Sequence, residues 1–99
     1  VVVIVCHDEY WSWEMRDTLD AYVDAGGHLA RFGGNYVWQV RLDLDTGVQT
    51  CFKDPSADPI RATDPTRLTT AWDAPEIGRP GAETMGLTGL GGAYIRYGS

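Results

Sequence analysis

Val1 to Cys6 is an unbroken apolar run, VVVIVC, made mostly of β-branched residues. Such a run fits a strand covered on both faces, as in a parallel sheet. The polar and aromatic stretch His7-Asp8-Glu9-Tyr10 breaks it. Ser12 then predicts a helix start, because its hydroxyl can accept a bond from a free amide of the first turn. Glu14 follows near the positive end of the helix dipole. Met15, Leu19, Tyr22 and Val23 fall at i, i+4, i+7 and i+8, which makes one apolar stripe. Arg16, Asp17, Asp20 and Asp24 face elsewhere. Gly26-Gly27 stops the helix, and His28 to Phe32 reads as the next strand, closed by the turn Gly33-Gly34-Asn35. Strand, helix and strand make a right-handed βαβ unit over residues 1–35. The turns after Cys6 and after Phe32 then lie at the carboxyl ends of parallel strands, the edge where open α/β sheets place ligands.

The pattern changes beyond residue 35. Val37–Leu44 and Val48–Lys53 flank Asp45-Thr46-Gly47, which predicts a β-hairpin within 36–53. All five prolines fall between Pro55 and Pro80, so 54–84 reads as an extended surface loop, a cover or an insertion. Gly86, Gly89, Gly91 and Gly92 lead into a predicted strand, Ala93–Tyr97, within 85–99. These glycines do not match a phosphate-binding pattern.

Composition narrows the class. A hydrophobic content of 43% and a charged content of 22% are ordinary for a globular chain of 99 residues. The first residue is not Met and the chain opens directly on an apolar run, so it is expected to be part of a larger domain. The net charge of −6, with no local basic cluster, disfavours nucleic acid. No apolar run approaches the ~18 residues of a membrane span. Cys6 and Cys51 form no metal or redox motif, and Cys6 is expected to be a buried free thiol.

The corner His7-Asp8-Glu9-Tyr10-Trp11-Ser12 concentrates proton-active side chains between a strand and a helix. It has no GxSxG and no Cys at the turn itself. Ser12 is better explained as a cap than as a nucleophile. Metal binding or acid–base chemistry is left, with His7, Asp8, Glu9 and Tyr10 as candidates. Asn35 ends the neighbouring strand and is expected to face the same cleft. Trp11, Trp13, Tyr36 and Trp38 read either as pocket lining or as core. Glu83 follows the proline-rich segment, where a solvated carboxylate is the default.

The strings His7-Asp8-Glu9-Tyr10-Trp11-Ser12-Trp13-Glu14-Met15-Arg16-Asp17, Ala25-Gly26-Gly27 and Phe32-Gly33-Gly34-Asn35-Tyr36-Val37-Trp38-Gln39 carry a family resemblance. Together they resemble the C-terminal part of the large (β) subunit of N,N-dimethylformamidase. The resemblance implies a flavodoxin-like α/β fold similar to class I glutamine amidotransferases, without their Cys nucleophile. It implies a mononuclear iron (Fe3+) held by two tyrosinates and a glutamate, and hydrolysis of a small N-substituted formamide to amine and formate in the cytoplasm. Tyr10 matches one of the tyrosines. The other is expected upstream of Val1. Glu83 is the candidate for the glutamate, unless that ligand falls past Ser99. His7 and Glu9 are expected to orient Tyr10 or to shuttle the proton, and Asn35 to bind substrate. A small partner subunit follows by analogy. The competing readings are a related hydrolase of another small substrate, and a non-catalytic domain of this fold that binds a sugar or a partner protein.

Overall fold

The computed structural model describes residues 1–34 and 36–86. The predicted strand at 93–97 and the turn residue Asn35 lie outside them. The described residues form a small α/β structure in the order β1 (Val2–Val5), β2 (Tyr10–Ser12), α1 (Trp13–Asp24), β3 (Leu29–Phe32), β4 (Trp38–Asp43), β5 (Val48–Thr50) and α2 (Gly81–Met85). Two turns of 3-10 helix, Pro59–Ala62 and Pro65–Arg67, lie between β5 and α2.

Two segments run side by side and in parallel through most of this frame. β1 pairs with β3, from Val2 opposite Leu29 to Val5 opposite Phe32. Further along the same two segments, β2 pairs with β4, Tyr10 opposite Trp38 and Ser12 opposite Val40. The corner expected to be a turn is therefore partly a second short strand. Of its residues 10–12, Tyr10 is exposed while Trp11 and Ser12 are buried, Trp11 in the core.

β4 continues into an antiparallel pair with β5. The connecting turn is held by the Asp43 carboxylate, which accepts from the amides of Asp45 and Thr46, and by Gly47 at φ +70°. The second strand is shorter than expected. Phe52 and Lys53 leave it and donate their amides to the hydroxyl and carbonyl oxygens of Thr69 instead, both at 2.8 Å.

α1 starts where the sequence places it, with the Ser12 hydroxyl accepting from the Met15 amide at 3.2 Å. It ends at Gly26-Gly27, Gly26 having φ +93°. The buried face differs from the expected stripe. Leu19 is buried and Tyr22 packs on the core, but Met15 and Val23 are exposed, while Arg16 is wholly buried. The reason lies in residues 68–84, which cover the Arg16 side of the helix and bring Trp72 and Ile77 into a core with Trp11, Leu19 and Tyr36.

That same stretch corrects the reading of 54–84 as an extended surface loop. Leu68, Thr69, Thr70, Trp72 and Ile77 are all buried. Asp58 organises the segment. Its shielded carboxylate accepts from Arg41 at 2.7 and 3.0 Å and from the Thr69 amide and hydroxyl at 2.9 Å. Gln39 donates to the carbonyls of Thr66 and Leu68. Prolines removed the periodicity that would have signalled packing, and polar side chains supply it instead.

The expectation that β1 is covered on both faces is also corrected. Val1, Val3, Val5 and Phe32 are exposed, because among the described residues the β1–β3 pair is a two-stranded sheet with nothing stacked on much of its surface. Cys6 is exposed rather than buried, and both cysteines are free thiols. No described helix is long and apolar enough to cross a membrane.

Candidate functional site

Between Phe32 and Trp38 the parallel ladder opens. The described parts of the two connecting segments, 6–9 and 33–34 with 36–37, stay close. The Cys6 amide donates to the Phe32 carbonyl at 3.3 Å on one side of the opening. On the other side the Glu9 carbonyl accepts from Trp38 at 2.8 Å and from Val37 at 3.4 Å. Gly33 makes the close approach possible: a Cβ there would lie 2.0 Å from the Cys6 carbonyl oxygen. Cys6 takes the left-handed backbone, φ +67°, which turns the following residues out of the ladder.

This opening carries His7, Asp8, Glu9 and Tyr10. The His7 Nδ1 and Glu9 Oε1 atoms are 3.7 Å apart near the surface. Asp8 pairs with Arg31 at 3.5 Å, and Arg31 also donates to the Gly34 carbonyl at 3.1 Å, tying the two sides together. Behind them lies Tyr36, 3% exposed, whose hydroxyl has no hydrogen-bond partner among the described residues. Burial pushes its phenol pKa well up, so Tyr36 is a neutral hydroxyl at physiological pH.

Tyr10 lies at the rim with its ring partly exposed. The Lys53 ammonium is 5.3 Å from the Tyr10 ring centroid and 5.0 Å from that of Trp38. Its hydrogen bond with the Tyr10 side chain holds the Lys53 pKa above the ordinary lysine value. Glu83 is exposed on α2, away from these contacts. Its segment is fixed by Arg16, which donates to the carbonyls of Arg79 at 2.7 Å and Pro80 at 3.0 Å and to the Thr84 hydroxyl at 2.8 Å. The Gly81 amide in turn donates to Asp73.

The structure thus brings His7, Glu9 and Tyr10 to one opening, and no described contact joins Tyr10 to Glu83. Trp11 and Tyr36 are core, and Trp13 and Trp38 are half-buried. Sequence reading missed Lys53 and Arg16. Lys53 gave no signal, since it was read as the end of a hairpin strand. Arg16 sits beside the predicted apolar stripe, among the charged residues that face elsewhere.

As a metal donor, Tyr10 fits in chemistry: it offers a hard oxygen at an accessible rim. Glu83 is an exposed carboxylate of matching chemistry. Among the described residues no group of three or more His, Cys, Asp or Glu side chains could hold a metal ion.

The described residues thus form a small α/β structure with a polar opening at the carboxyl ends of β1 and β3. The chain belongs to the N,N-dimethylformamidase beta subunit-like family, C-terminal part, whose model matches residues 1–97. No curated protein and no solved structure matches it.

Proposed function

We propose that this chain carries part of the catalytic site of an iron-dependent amidohydrolase that cleaves small N-substituted formamides to an amine and formate. The family match over residues 1–97 carries this reading. The words "beta subunit" in the family's description support assembly with a smaller partner subunit. The two parallel pairs support a flavodoxin-like, glutamine amidotransferase-like sheet extended by further strands.

In this reading Tyr10 is one phenolate donor to a mononuclear ferric ion, the carboxylate donor is Glu83 or a glutamate outside the described residues, and a second tyrosine outside them completes the set. Bound iron would supply Lewis acidity toward an amide carbonyl or a water molecule. The chain's own residues do the remaining work. Glu9 and His7, paired beside Tyr10, are placed to hold a proton at Oε1 or Nδ1 for the departing amine, a poor leaving group without it. Asn35 supplies a side-chain amide to orient the substrate. The Asp8–Arg31 pair keeps the two connectors in register.

The test is metal analysis and visible spectroscopy of the full-length protein, with an assay of amine release from dimethylformamide and a panel of small amides. Mononuclear iron with a tyrosinate charge-transfer band is expected, and Tyr10→Phe should weaken and shift the band, the second tyrosinate accounting for what remains. An unchanged band in that variant would overturn the ligand assignment. Failure to turn over any amide would overturn the reaction.

A further inference from the structure

Arg31 is the charged residue of β3, set among Leu29, Ala30 and Phe32 and opposite Ile4 in the ladder. Its side chain is only 9% exposed. A shielded guanidinium is costly unless its charge and its donors are answered. Three groups answer it. The Asp8 carboxylate lies 3.5 Å away, the Gly34 carbonyl accepts at 3.1 Å, and the Tyr36 ring centroid is 5.3 Å from the guanidinium carbon. These partners lie on both connectors that bound the opening, and none is on β3 itself.

Stability does not call for an arginine here. Exchanging a shielded ion pair for apolar side chains of similar volume is often neutral or stabilising. What an arginine adds is direction, because its planar fork holds partners at set angles. Asp8 is the partner with consequences, through its neighbours. The His7 Nδ1 and Glu9 Oε1 atoms meet at 3.7 Å, the contact of side chains two residues apart that leave the chain on one side. Asp8 stands between them and turns instead to Arg31. Holding Asp8 fixes the rotation of this connector, and with it the side on which His7 and Glu9 are presented.

We propose that Arg31 is a positioning residue of the candidate site: gripping Asp8 and the Gly34 carbonyl, it sets the connector so that His7 and Glu9 are presented together at the opening. It acts through Asp8. The proposal rests on the reading of His7 and Glu9 as residues of the site, and it holds for any set of metal donors.

Variants of the full-length protein test it. NMR spectra of histidine-labelled protein report the connector through the His7 ring signals, identified by their loss in His7→Gln. Asp8→Ala removes the carboxylate from a partly exposed place, and Arg31→Met removes the fork. Each should move the His7 signals. Each should also lower kcat for amine release about 100-fold, the cost of misplacing a reacting group by about 1 Å, with KM changed less than about twofold. The double variant should lose no more than either single one, because both break the same link. Its melting temperature should match that of the parent. Arg31→Lys keeps the charge without the fork and should restore part of kcat. A merely structural pair would lower stability and leave kcat alone. Unmoved His7 signals or a parental kcat in Asp8→Ala would overturn the proposal, as would losses that add in the double variant. A parent protein that releases amine from no amide would instead overturn the reading of the reaction, and the His7 signals would still decide what Arg31 holds.

Discussion

The Arg16 guanidinium lies 4.3 Å from the centroid of the Trp72 ring, and both side chains are shut off from solvent. Arginine tolerates such a place because its planar cation is weakly hydrated and stacks on aromatic faces. Its donors reach the Thr84 hydroxyl and the carbonyls of Arg79 and Pro80, so one side chain of α1 fastens the segment that carries α2.

Arg16→Ala should therefore lose about 3 kcal/mol or more, because it strands two carbonyls and empties the space over Trp72. Arg16→Lys should recover only part of this, lacking the fork. Urea unfolding followed by tryptophan fluorescence measures it. A loss below about 1 kcal/mol would show that the segment 79–84 holds without this anchor.

Asp58 predicts the acid limb of the stability curve. Burial alone would raise its pKa, but the bonds from Arg41 and from the Thr69 amide and hydroxyl hold it well below the usual carboxylate range. A depressed folded-state pKa contributes stability that is complete above the unfolded value of about 3.9 and is lost as pH falls through the folded value. Stability should thus be flat in this term from neutrality to about pH 5 and then decline. Asp58→Asn should cost about 3 kcal/mol at pH 7 and flatten the acid decline. Melting curves across pH 2–7 compare the two, and an unchanged acid limb in the variant would count against Asp58 as its source.

Gly33→Ala tests the close approach at the opening of the ladder. The added methyl meets the Cys6 carbonyl, a backbone atom that cannot swing away. A loss of about 1–3 kcal/mol is expected, with faster amide hydrogen exchange at Cys6 and Trp38. Unchanged exchange at both amides would mean that the connectors separate at no cost.

Glu83 and Glu9 have different expected roles, and conservative substitutions separate them. Glu83→Gln should lower the iron content of the full-length protein. Glu9→Gln should leave the iron in place and slow amide turnover by a factor of about 100, the lower range of general acid–base effects. Equal iron contents in both variants and the parent would remove Glu83 from the ligand set.

Much of the frame was legible because local rules govern it. Ser12 and Gly26-Gly27 mark the ends of α1, and Asp45-Thr46-Gly47 marks the hairpin, since caps and turns depend on the residues at hand. Arg16 was misread because a helical wheel gives spacing, not what lies opposite, and the covering element is some sixty residues away. The packing of 68–77 was hidden for the same reason: Asp58, Gln39 and Thr69 bury polar groups through long-range bonds that no periodicity records. At the candidate site Tyr10, His7 and Glu9 were visible as a polar break after an apolar strand. The place of Lys53 beside Tyr10 was not, because it depends on a backbone angle and on partners at Thr69 and Thr70.

Ser12 both ends β2 and caps α1, so Tyr10 is mounted two residues before a helix and is held across the ladder by Trp38. Its main chain cannot swing without unhooking the first helical turn. The entropy of fixing this stretch of main chain is met while the chain folds, so in the proposed function an ion arriving at the rim would find the Tyr10 backbone already set and meet less reorganisation.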